Sequence, residues 1–214
     1  PDYDALNTVN SRLKNNFTQM SLFGTVTTDG TIASSSAGTD TTKTGTDIDY
    51  GNFKIYFVRD ERESKTGYFK LVVSNPDTAK QISLTSSVFN DVYNNELWNL
   101  SVRVKPENYP LDTFVEAAGG IQQHKYDIIF AGYNSKTTDM FDSFKVSSQV
   151  TTSTGKKMIE SGKRVFVGAD KVNVTGVVSY HSDVLVSSVA YWTKYIEDTD
   201  LQQHALDIEN IGLS

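Results

Sequence analysis

The stretch that most restricts the fold lies near the end of the chain, VLVSSVAYWTKYIEDTDLQQHALD from Val184 to Asp207. Up to Tyr191 and Trp192 it is β-branched and aromatic, and Leu185, Val189 and Tyr191 share one face at period two, the pattern of a strand. Asp198, Thr199 and Asp200 then bring side-chain acceptors and negative charge suited to the open amides of a helix N-terminus. Leu201 and Ala205 follow four apart, on one helical face. A chain otherwise built of short strands and turns that closes on a strand and a short helix fits few architectures.

The strand signals run through most of the chain. Phe53, Ile55 and Phe57 share one face, with Lys54 and Tyr56 on the other. The charged run RDERESKTG is a hairpin turn, and YFKLVVS from Tyr68 returns from it. Asn75-Pro76-Asp77 marks another turn, after which Ile82, Leu84 and Val88 recur at even spacing. The clearest strand is LWNLSVRVK, in which Trp98, Leu100, Val102 and Val104 should point inward and Asn99, Ser101, Arg103 and Lys105 outward to water. YDIIFAGYN, FDSFKVSSQV and KRVFVGAD continue the series. Short strands at this spacing, with brief helical signals, predict an all-β antiparallel two-sheet sandwich with a short C-terminal helix.

The first twenty residues fit a helix over Tyr3 to Leu13 or a docking arm. Thr25 to Asp47 is nearly bare of apolar side chains after Ile32, too polar to offset its ordering entropy by burial. Regular structure is therefore expected from Phe53. The organisation expected is an arm over 1–22 and a single domain over 23–214 that includes the Thr/Ser-rich loop at 25–47, with no repeat and no internal boundary.

A net charge of −6 over 214 residues, with basic clusters no longer than Lys156-Lys157 and Lys163-Arg164, speaks against a nucleic-acid partner. No apolar run approaches the roughly 20 residues that span a bilayer, and the start lacks the apolar core of a signal peptide. A chain that begins on Pro1 suits a piece of a longer protein. The sequence has no cysteine, which excludes disulfides, thiol catalysis and cysteine-zinc sites. The sequons at Asn16, Asn99 and Asn173 read as chance in a chain rich in Asn, Ser and Thr.

The order of features resembles the laminin-G-like, or concanavalin-A-like, jelly roll: a charged hairpin, a strand built on Trp98, a strand ending in Gly (RVFVGAD) and a last strand running into a Leu-bearing helix. The resemblance covers roughly Phe53 to Ser214. The closing SSVAYWTKYIEDTDLQQHALDIENIG is similar to the ending of such modules in structural proteins of tailed phages and related viruses. It implies a non-enzymatic virion protein, as capsid decoration, tail or fibre component. The expected partners are other virion proteins, further copies of itself, or host-surface glycans.

Chemistry is thinly signalled. The paired carboxylates of a retaining glucanase would alternate along one strand, and no E-x-D-x-x-E arrangement occurs. Glu197-Asp198 with Asp200 reads as helix capping, and Asp60-Glu61-Arg62-Glu63 as a solvated turn. His124, His181 and His204 lack metal-ligand spacing and read as surface or packing groups. No nucleophile elbow is present. The expectation is no catalytic residue and no resident cofactor. Calcium at a loop rim is the one metal considered, with Asp170, Asn173, Asp47 and Asp49 as its oxygen donors; turn formation is the plainer reading of each. Trp98 should pack in the core, while Tyr191 and Trp192 should face opposite ways, leaving one of them, with Tyr195, as a contact surface for protein or sugar.

Overall fold

A computed structural model describes residues 18–27, 51–59, 65–75, 78–90, 92, 96–107, 125–136, 139–171, 178–179, 182 and 185–207. In chain order the elements are β1 (Gln19–Thr27), β2 (Phe53–Arg59), β3 (Thr66–Val73), β4 (Ile82–Asn90), β5 (Leu97–Pro106), β6 (Tyr126–Lys136), β7 (Asp139–Val150), α1 (Thr152–Glu160), β8 (Lys163–Val167), β9 (Asp170–Lys171), β10 (Val178–Ser179) and α2 (Asp198–Leu206). The class is the expected one: all-β, with two larger antiparallel sheets, a two-stranded β9–β10 pair and a short C-terminal helix. The chain divides into two compact units, Pro1–Asp91 with Lys156–Ser188 and Val92–Gly155 with Val189–Ser214, a division that no shift of composition announces.

In the first unit the sheet order is β4-β3-β2-β1-β8. Phe53, Ile55 and Phe57 do share a face, and the β2–β3 register sets them opposite Val73, Leu71 and Phe69. Phe57 meets Phe69 edge-on at 5.2 Å between centroids, and Phe69 leans on Phe89 at 6.2 Å. These side chains are the unit's core, all of them buried except Phe53. Among the described residues regular structure is already present at Gln19, ahead of the expected Phe53. β1 lies between β2 and β8, and the boundary drawn at 22/23 falls inside it. A register shift between Ser21 and Phe23 breaks the period-two pattern, which hides this strand from a periodicity reading. Its buried Thr25 is satisfied locally, accepting from the Phe53 amide at 3.0 Å. Residues 28–47 of the Thr/Ser-rich segment, and the helix or arm expected before Thr18, lie outside the described residues.

A second bulge corrects the reading of β4. Tyr68 pairs with Val88 but Lys70 with Thr85, so β4 carries one extra residue there. That shift reverses every later side chain: Val88, expected inside with Ile82 and Leu84, is exposed, and Phe89 is buried. The Ser86 hydroxyl at the bulge accepts from the Phe69 amide at 2.9 Å.

The second unit holds the meander β5-β6-β7. One face carries Phe130 and Ile128, fully buried, with Phe144 at 4.9 Å from Phe130. Trp98, expected in the core, is half-buried; its ring leans on Phe144 at 6.3 Å while its indole nitrogen donates to Glu96 at 3.3 Å. The other face of β5 is not the wet one expected. Arg103 is its most buried residue, and Val102 and Val104 on the apolar side are only half-buried.

Two further elements depart from expectation. The residues between the strands ending at Val150 and beginning at Lys163 read as a turn but form α1. Its Thr-Ser-Thr-Gly start has poor helix propensity, and burial of Thr154 and Met158, four apart, compensates. The strand expected to end the chain is absent as a paired element. Leu185 to Tyr191 is exposed throughout and belongs to no sheet, because a β-prone sequence becomes a strand only where a neighbouring edge accepts its backbone.

Candidate functional site

The residues that follow the exposed stretch are held on the face of β5-β6-β7 that the sequence assigns to water. Ile196, Leu201 and Ala205 pack against Ala131 and Tyr133 of β6, with Met140 and Trp192 at the border. Pairing places Asn99, Ser101 and Arg103 of β5 on the same face as Tyr133, Ala131 and Ile129. Alternation on β5 predicts a polar face correctly; what it cannot foresee is that a chain segment far along the sequence lies over that face.

A buried cation organises the contact. Arg103 donates one amino group to the Ile196 carbonyl at 3.0 Å and to the Tyr195 hydroxyl at 3.3 Å, and the other to Asp198. Lys145 of β7 binds the second Asp198 oxygen at 2.5 Å. The Tyr195 ring faces both Arg103 at 5.4 Å and Lys105 at 5.1 Å, a cation–π arrangement. At the far end of α2, Ser135 donates to the Ala205 carbonyl at 2.5 Å.

This geometry revises the role of the acidic trio. α2 begins at Asp198 with Glu197 as its N-cap, and no side chain makes a capping hydrogen bond. Asp198 and Asp200 do lie in the first turn, where negative charge complements the helix dipole. Asp198, however, serves as the counter-ion of Arg103 and Lys145. Burial alone would raise its carboxyl, but hydrogen bonds from Lys145 and Arg103, with their charges, outweigh it and hold the group below the usual carboxylate value. Burial pushes the Tyr195 phenol up, Arg103 counters it, and Glu197 and Asp198 add to the rise. The Tyr195 phenol and the Asp198 carboxylate thus stay in the forms the contact uses.

The stretch Leu185–Tyr191 that leads into this anchor is bare. Leu185 is 99% exposed and Tyr191 83% exposed, with Val186 and Val189 also open to water. None of its residues makes a backbone hydrogen bond with another described residue. Trp192, next in the chain, is half-buried and sets its ring tilted, 5.5 Å from that of buried His204. One of the pair is thus open, as expected, and it is Tyr191. Tyr195, expected as a contact group, is committed to the cations beneath it.

Asp170 is buried in the first unit, where Lys54 lies 2.8 Å from one oxygen and the Tyr56 hydroxyl donates to the other at 2.8 Å. Gly168, with φ at +69°, makes the turn that brings it there. Both oxygens of this calcium candidate are thus engaged by its own chain. Asn173, Asp47 and Asp49 lie outside the described residues, as do Asp60 to Glu63, His124 and His181. Among the described residues no three of His, Cys, Asp and Glu gather where they could hold a metal ion, and no helix is long and apolar enough to cross a membrane. His204 is a packing residue, one of the two roles expected of it.

The arrangement is that of an anchored strip: an exposed apolar segment leads into a helix held by the half-buried Arg103–Asp198 ion pair. Comparison of the chain with family models, with curated proteins and with solved structures finds no match.

Proposed function

We propose that this chain is a non-enzymatic recognition module that works through surface contacts, and that Leu185–Tyr191 is its contact element. One observation carries the reading. Four apolar side chains, including the nearly fully exposed Leu185 and Tyr191, stand on an unpaired backbone next to a firmly anchored helix. An apolar strip kept in water is costly, roughly 25 cal/mol for each Å² that could be buried, and such strips mark interaction sites. The anchor limits the conformational entropy lost when a partner covers the strip.

A virion setting is the setting we propose, as capsid decoration, tail or fibre. It draws on the likeness of the residues after Ser187 to the endings of phage and viral structural modules. Contacts would then be with neighbouring protein subunits or with a host surface.

The test is the pair of substitutions Leu185→Ser and Tyr191→Ser in one chain. Both side chains are exposed, so the variant should keep the parent's circular dichroism and cooperative unfolding. It should lose the parent's self-association in sedimentation velocity at high concentration. A glycan array, run with and without chelator, examines the second reading, in which the open Tyr191 ring stacks on sugar. A parent that neither associates nor binds any glycan would sink the recognition reading.

A further inference from the structure

Resting on that reading, we propose that the strip is a β-strand awaiting an edge, and that a second copy of this chain supplies the edge, at β8. The strip has what strand addition requires. Its backbone makes no hydrogen bond with another described residue, and Leu185, Val189 and Tyr191 recur at period two, so main-chain bonds would give affinity and alternate side chains register.

Leaving aside the two-residue β9–β10 pair, the four edges of the two larger sheets differ in how they are guarded. Natural edges are blunted by bulges, charges and proline. β4 carries the bulge at Ser86 and Ser87. β5 ends in Arg103, Lys105 and Pro106, and β7 presents Asp139, Asp142 and Lys145 and pairs through a shifted register. β8 has none of these over Val165–Val167. It runs in unbroken register with β1, and Val165 and Val167 are 47% and 43% exposed on one face. At its start the Lys163 ammonium is turned away, donating to the Ser161 hydroxyl at 2.6 Å and the Lys157 carbonyl at 3.1 Å, which leaves exposed Arg164 as the strand's remaining guard, one residue before Val165.

An antiparallel match with Val189 opposite Val167 places Tyr191 opposite Val165, so apolar side chains meet across the pair. The chain beyond each element then runs the opposite way. Exposed Glu197 and half-exposed Asp200 are carried toward the exposed Lys156 and Lys157, and the charges complement one another. Because each copy owns both a strip and an edge, the contact closes as a two-fold dimer or propagates as a chain of copies.

The absence of cysteine makes the test clean. Two separately purified full-length variants, Val167→Cys and Val189→Cys, are mixed under mild oxidation. Directly opposite residues in an antiparallel pair have Cα atoms about 4.5–5.5 Å apart, within disulfide reach. The expected product is a covalent heterodimer, at a yield at least tenfold above that of Val189→Cys mixed with Thr85→Cys on β4. Equal yields would overturn the proposal. A second variant, Val189→Pro, removes a strand amide from a residue that no core uses, and should abolish association while unfolding as the parent does. Association unchanged by proline would also overturn it. If the serine pair loses association but the cysteines do not link, the strip remains a contact element and β8 is not its partner.

Discussion

Asp198 takes three parts at once: it opens α2, neutralises Arg103 and holds Lys145. Removing a partner from a buried cation costs more than the pair contributes, because the charge left behind is desolvated and uncompensated. Arg103→Met deletes the cation and its bond to the Ile196 carbonyl, and should lower stability by about 1–3 kcal/mol in urea denaturation. The lower part of that range is expected, since a third of the Asp198 side chain stays in water. Asp198→Asn leaves Arg103 and Lys145 without their carboxylate. The folded-state carboxyl titrates below its ordinary value of 3.8, so its contribution is complete above about that pH and disappears as pH falls through the depressed folded value. The stability gap between parent and Asp198→Asn, measured by urea midpoints at pH 7 and pH 3, should therefore narrow at the acid end. A gap of equal size at both would show that Asp198 does not act through its charge.

Among the elements, the bulges account for most of what periodicity missed. The face of β2 was legible because its alternation is unbroken, whereas one extra residue in β4 exchanged Val88 for Phe89 and a shift in β1 concealed a central strand. A bulge is set by partner register, which a single strand's sequence does not contain. Close approach between strands is similarly a property of the pair. A Cβ built on Gly67 of β3 would stand 2.4 Å from the Phe57 ring and 2.6 Å from the Val58 carbonyl oxygen. The ring can shift but the backbone oxygen cannot. Gly67→Ala should cost roughly 1–3 kcal/mol as an overpacked position, read as a lower urea midpoint with an unchanged slope. A neutral result would mean that the β2–β3 pairing relaxes there.

At the scale of the molecule, exposure of the strip ties stability to association. Amides of residues 185–191 should exchange at nearly unstructured rates in dilute protein, and gain protection as concentration rises, while Phe69 and Leu71 in β3 stay slow throughout. Protection of the strip at high dilution would show that it pairs within its own chain. The strip's composition is readable in the sequence: β-branched, aromatic and periodic, it is strand material, but nothing in it says whether an edge will accept it. What the sequence determined by itself was the local chemistry: an all-β antiparallel class, the face of β2, the place and apolar face of α2, and the lack of any thiol. Tertiary structure alone decided which polar faces were covered and which apolar strand was left bare. Lys54 and Arg103 both lie on faces that alternate as wet, and each is covered by a distant segment bearing an aspartate, Asp170 or Asp198. The physical reason is that burial and strand pairing are relations between segments far apart in the chain, and each segment's own sequence states only what it could bury or pair, not what will meet it.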